Sequence, residues 1–198
     1  MPDAKGYRMQ RAQIKSSARQ RFNRGVTLVE LMVTIVILAI LAAIGMPAMA
    51  RFINDTRVSG TTNEFVSALN LARMEAIKRG RLVTVCRSTN PESEAATCTS
   101  GSDWSTGWIV FIEDSSGGAL GTNVAADNIL TRRGTLTTNV NAQVNNTTPI
   151  TYNGTGLPVG NLTGISINFN YNGGCARAVS ISRSGRVTVI PDGTPCGS

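Results

Sequence analysis

Residues 31–50 read LMVTIVILAILAAIGMPAMA, twenty residues without a charged side chain, and Arg51 ends the run. A helix of that length rises about 30 Å, which matches the hydrocarbon thickness of a bilayer. The run is apolar all round, so it offers no polar face to water. Glu30 stands one residue before it. A carboxylate at the bilayer centre costs roughly 2.5–3.5 kcal/mol, and less near the interface. A glutamate in the first turn of a helix is also favoured by the helix dipole. Membrane anchoring alone tolerates Glu30 but does not call for it.

Residues 1–25 are of a different kind. They hold Lys5, Arg8, Arg11, Lys15, Arg19, Arg21 and Arg24 against one acid, Asp3. A basic segment ahead of an apolar one keeps the N-terminus in the cytoplasm and sends the rest of the chain across. An ordinary secretory signal has an apolar core of about 7–15 residues, then a small-residue cleavage site. Here the apolar part is longer, and the candidate cut lies before it, between Gly25 and Val26. The whole chain carries 19 Lys and Arg against 12 Asp and Glu, a net +7. Without the leader, 12 basic and 11 acidic residues remain, a net +1. The general electrostatic footprint expected for nucleic acid goes with the leader. The chain has no histidine. That excludes Ser-His-Asp and Cys-His nucleophile schemes and any histidine metal ligand. No P-loop, GxSxG or dinucleotide fingerprint is present. Neither a cofactor nor a metal is expected, and the chain reads as a non-enzyme.

Gly25 followed by Val26-Thr27-Leu28-Val29-Glu30 resembles the class III signal of type IV pilins and pseudopilins. The resemblance implies that a prepilin peptidase cuts between Gly25 and Val26 and N-methylates the new amine on Val26. It places Glu30 at the fifth mature position, where the glutamate serves assembly. There it pairs with the N-terminal amine of a neighbouring subunit. Gly45 and Pro47 fall where the helix should kink; many family members have a proline at the latter position. The first mature residue of the family is usually Phe, and here it is Val26. The leader is long for the family, and Met9 is a second candidate start.

Beyond the apolar run, Val58, Thr62, Phe65, Leu69, Ala72 and Ala76 recur at three- and four-residue steps. Arg57, Glu64, Arg73, Lys78 and Arg79 lie mostly off that stripe. The pattern predicts an amphipathic helix with one buried face, stopped by Gly80. One helix from Val26 to Arg79 would be roughly 80 Å long. After it the pattern turns to strands. Arg81–Cys86, Gly107–Glu113, Asn128–Arg132 and Pro149–Tyr152 are read as strands, with 88–105 as a loop. Asp114-Ser-Ser-Gly-Gly118 reads as a turn. Thr163–Tyr171 and Ala176–Ser182 flank Asn172-Gly-Gly174 as a hairpin. A turn at Arg183–Arg186 precedes a last strand at Val187–Ile190. The expected fold is α+β: a long kinked N-terminal helix packed on an antiparallel β-sheet domain, with about six strands after the helix. The expected segments are a leader at 1–25, a transmembrane and assembly half-helix at 26–50, an amphipathic half at 51–80 and a periplasmic domain at 81–198.

Cys86, Cys98, Cys175 and Cys196 all follow the membrane run, on the oxidising side. Their spacing is unlike a zinc site, and no CxxC redox pair exists. Two disulfides are expected. Three pairings are open; Cys86–Cys98 and Cys175–Cys196 are favoured because each closes a local loop. The smaller loop would contribute about 3 kcal/mol in the chain-entropy account.

The segment Leu71-Ala-Arg-Met-Glu-Ala-Ile-Lys-Arg79 leads into a strand with Cys86. Asp103-Trp104, Gly107-Trp108-Ile-Val-Phe111 and Ser182-Arg-Ser-Gly-Arg186-Val187 follow. These features resemble the narrower GspH/FimT-like group, and the likeness covers nearly all of 24–190. The resemblance implies a minor component, either a FimT/FimU-type minor pilin that helps initiate or cap a type IV pilus, or a GspH-type pseudopilin of type II secretion. Its partners would be the prepilin peptidase, other minor and major pilins or pseudopilins, and an inner-membrane assembly platform. A rival reading is a DNA-binding minor pilin. Some FimT-like proteins use a late Gly-Arg-x-Arg motif for that; here it is Gly185-Arg186-Val187-Thr188, with threonine for the second arginine and Arg183 and Arg177 nearby. A membrane-tethered enzyme is the third reading. The sequence names no catalytic base to go with Asp114, Ser115 and Ser116, which read as a turn, and Trp104 and Trp108 read as packing residues.

Overall fold

The computed structural model describes residues 25–114, 119–121, 124–160, 165–172 and 176–191. The first element, α1, runs Leu28–Arg79. Thr27 is its N-cap: its side-chain oxygen accepts the Glu30 N–H at 3.2 Å, and its carbonyl accepts the Leu31 N–H at 3.1 Å. Its C-terminus is closed by Gly80 at φ +63, a left-handed position suited to glycine. The chain divides into two compact units, one up to Ala42 and one from Ala43 onward. In the first, every described residue is exposed, and α1 is long and apolar enough to cross a membrane.

In the second unit α1 behaves differently. Val58, Thr61, Thr62, Phe65, Ala68, Leu69, Ala72 and Ala76 are buried, which is the predicted stripe with two small neighbours added. Lys78 and Arg79 sit in the last turn, where cations suit the dipole. Both pair with Glu75, and the hydrogen bond from Arg79 holds the Glu75 carboxyl below its ordinary range.

Nine strands follow among the described residues: β1 Val83–Arg87, β2 Trp108–Ile112, β3 Ile129–Arg133, β4 Val140–Val144, β5 Ile150–Tyr152, β6 Pro158–Val159, β7 Ile165–Tyr171, β8 Ala176–Ile181 and β9 Val187–Pro191. They form two antiparallel sheets, as a β domain of antiparallel strands. Sheet A has the order β3-β2-β1-β5-β6 and sheet B the order β4-β7-β8-β9. The expected hairpin is the β7–β8 pair, with Ile165 opposite Ile181. The expected turn at 183–186 joins β8 to β9, closed by the Ser182 N–H donating to the Arg186 carbonyl at 2.9 Å. Strands β4 and β6 were not anticipated. The reading of 115–118 as a turn lies outside the described residues.

The two sheets differ as their sequences do. In β7, Ile165, Ile167 and Phe169 are buried while the residues between them are not, the alternation of a sheet with one covered face. In β2 all five residues are buried. Trp108, Val110 and Ile112 join the core under α1, whereas Ile109 and Phe111 join a second cluster with Cys86 and Ala96. Sheet A is covered on both faces, which explains the unbroken WIVFI.

Candidate functional site

Three places bear on function. The first is the N-terminal end of α1. Gly25, Val26 and Glu30 are exposed, and among the described residues no side chain pairs with the Glu30 carboxylate. Thr27 and Glu30 occupy the first and fourth places of a capping box, so the glutamate also suits a helix start. Gly45 and Pro47 both lie inside α1, and a Cβ placed on Gly45 would meet nothing within 4 Å.

The second is the aromatic hub that seats α1 on both sheets. Phe65 packs edge-on against Trp104 at 5.7 Å and Trp108 at 5.1 Å, and tilted against Phe169 at 5.5 Å. Trp108 comes from sheet A, Phe169 from sheet B and Trp104 from the segment between β1 and β2. Both tryptophans are core, as their sequence context suggested. Ion pairs flank the hub: Asp55 with Arg177 at 2.9 Å and Glu64 with Arg133 at 2.6 Å.

The third is the turn between β8 and β9. Arg183 and Arg186 are exposed there. Gly185 is buried at φ +75, and a Cβ on it would lie 2.6 Å from the Gly156 carbonyl oxygen. Arg73 donates from Nε to the Gly156 carbonyl and from Nη2 to the Ser184 carbonyl, each at 3.0 Å. One helix side chain thus ties a turn of sheet A to a turn of sheet B. The glycine of the Gly-Arg-x-Arg-like stretch is set by this close approach. Sequence reading placed Arg73 off the buried stripe and missed its role, because its acceptors are backbone carbonyls far along the chain.

The Cys86–Cys98 bond is present, with Cα atoms 5.6 Å apart. Arg87 secures the loop it closes, donating to the Asp103 carbonyl at 2.5 Å and to Thr99 Oγ1 at 2.8 Å. The Asp103 carboxyl is held below its ordinary range by hydrogen bonds from Ser105. Cys175 and Cys196 lie outside the described residues. A buried acid also escaped the sequence reading. Glu113 accepts from Thr84 Oγ1 at 2.5 Å and from the Gly121 N–H at 2.7 Å, and Thr84 meets Thr151 at 2.7 Å. Its position at the end of an apolar strand was the available signal. Among the described residues no cluster of His, Cys, Asp and Glu could hold a metal.

Residues 61–185 match the protein family described as type II transport protein GspH. The chain belongs to that family. The GspH match starts beside the aromatic hub and ends at the glycine of the clamped turn. Residues 20–46 match the prokaryotic N-terminal methylation motif. The GspH-family fold seen here is similar to that of the type IV minor pilin FimU of Pseudomonas aeruginosa, with TM-score 0.53 and 19% identity over 74% of this chain and 98% of that one. The minor pseudopilin EpsH from the type 2 secretion system of Vibrio cholerae aligns with TM-score 0.49 and 13% identity, over 69% of this chain and 98% of that one. No curated protein matches. A long N-terminal helix whose later turns pack on antiparallel sheets is the type IV pilin fold, shared with FimU.

Proposed function

We propose that this chain is a minor subunit of a type IV pilus that helps initiate or cap the filament. It is made as a single-pass inner-membrane protein with its β domain in the periplasm. A prepilin peptidase cuts between Gly25 and Val26 and methylates the new amine. An assembly platform then draws the subunit into the filament among other pilins. The observation that carries this reading is Glu30, a carboxylate with no partner side chain among the described residues, at the head of an exposed apolar helix. A carboxylate and an amine that are each costly in lipid offset one another when paired. The Val26 amine of a neighbouring subunit is the group that would answer Glu30.

The test is a count of surface pili by electron microscopy on an in-frame deletion strain and on one complemented with Glu30→Ala. Loss of pili in both supports the reading. Normal piliation in the deletion strain rules out the initiation role. The second reading is a GspH-type pseudopilin of type II secretion, favoured by the name of the matching family. It predicts that the deletion abolishes secretion of exoproteins and leaves pili intact. A DNA-uptake role is the weaker third. Thr188 stands where a second arginine is wanted, and Gly185 has a packing reason of its own. The mature chain should give no DNA retardation at physiological salt; retardation lost in Arg186→Ala would reverse that ranking.

A further inference from the structure

The strand at one end of sheet A leaves a docking place beside α1. Strand β3 pairs with β2 alone; its first N–H, that of Ile129, donates to the Ala126 carbonyl, and among the described residues no other hydrogen bond reaches the backbone of its outer edge. Beside it lies an open groove of about 580 Å³, lined on the helix side by Gly60, Ser67, Ala68 and Leu71 and on the sheet side by Trp108 and Thr131. Gly60 is in the interior of α1, where glycine costs about 1 kcal/mol relative to alanine. A Cβ there would meet nothing within 4 Å, so among the described residues no neighbour requires the glycine. It widens the mouth of the groove.

The charges on β3 specify what can enter. Arg133 is opposite Trp108, on the helix side, and is already paired with Glu64. Arg132 is opposite Ile109, on the other face. It is exposed and donates to the carbonyls of Pro91 and Ser93, and no carboxylate pairs with it among the described residues. A strand added beside β3 would alternate, sending one set of side chains under α1 and the other set beside Arg132.

We propose that the edge of β3 and the groove beside it receive an extended segment of another filament subunit. That segment carries apolar residues at alternate positions for the groove and an acidic residue between them for Arg132. Main-chain hydrogen bonds to β3 provide affinity, and the alternating side chains provide selectivity. Only the identity of the partner as a filament subunit rests on the proposed function.

The probe is a heptapeptide, Thr-Val-Thr-Val-Asp-Val-Thr, titrated calorimetrically into the full chain in detergent micelles. A second peptide carries Lys in place of Asp. The acidic peptide is expected to bind, and to slow amide hydrogen exchange at 129–133. Gly60→Phe closes the groove while improving helix propensity, and should weaken binding at least tenfold. Arg132→Glu should weaken the acidic peptide about tenfold and restore binding to the lysine peptide. Flat isotherms with both peptides overturn the proposal. So does binding that is indifferent to Gly60→Phe and to the charge exchange, or exchange protection away from β3. Self-association of the chain that is lost in Gly60→Phe, with no peptide binding, would give the edge to a second copy and overturn the acidic partner. Pilus counts are read separately, so either idea can fail without the other.

Discussion

The two halves of α1 have similar length and opposite accounts of their hydrophobicity. From Leu28 to Ile53 large apolar side chains are exposed, with Ile44 and Met46 each about 70% accessible. From Val58 to Ala76 the apolar side chains off the stripe are few, and those on it are buried to 6% exposure or less. The buried stripe of the second half is covered within the chain. The first half has no cover among the described residues, and it is long and apolar enough to cross a membrane. Stability of the folded domain is therefore carried by the later turns of the helix, and under the proposed function the earlier turns serve anchoring and assembly.

Substitution should separate the two. Phe65→Ala removes three ring contacts and leaves a cavity at the meeting of both sheets. It should cost about 3–5 kcal/mol in denaturant unfolding of the full chain in micelles, while Leu38→Ala in the other half should change that unfolding by under about 0.5 kcal/mol. Removing the Cys86–Cys98 bond by a double alanine substitution should cost about 3 kcal/mol by the same measurement. Arg73→Ala loses two bonds from a charged donor to carbonyls, and about 2 kcal/mol is expected. Its signature is faster amide exchange at 182–186, with the turn loosened before the sheets are. The Tyr152 phenol is pushed up to about 12 by burial, and its hydroxyl has no hydrogen-bond partner among the described residues. Below pH 10 both folded and unfolded states keep the proton. Between pH 10 and 12 only the unfolded state releases it, so stability falls as pH rises. Tyr152→Phe should abolish that alkaline fall and leave stability at pH 7 within about 1 kcal/mol. Glu64→Gln breaks an exposed ion pair with Arg133 and should cost under about 1 kcal/mol. If Glu64→Gln proved as costly as Phe65→Ala, the division between a packed half and an exposed half would need redrawing.

Much of this was legible because it is written locally. The stripe from Val58 to Ala76 repeats at the helical period, and Gly80 stops it in a left-handed conformation. The stretch that matches the N-terminal methylation motif is likewise continuous, at residues 20–46. Strand β4 was missed although Val140, Ala142 and Val144 alternate inward, because Asn and Gln between them and Asn139 before them mimic a loop. Asn139 indeed takes φ +72. Strand β6 has two residues and begins with a proline, which no periodicity can signal. The division into two sheets depends on which strands pair across the domain, and local alternation carries no record of that. The groove beside β3 was illegible for the same reason: an edge exists only once a strand order does.

The Arg73 tie also has a temporal meaning. Its two acceptors lie 83 and 111 residues away in sequence. Contacts of such separation require closure of very long loops, and chains dominated by them fold slowly. The tip that displays Arg183 and Arg186 reaches its final shape only when the end of α1, the turn at Gly156 and the last hairpin have met. Anything that recognises that tip recognises a subunit whose folding is finished.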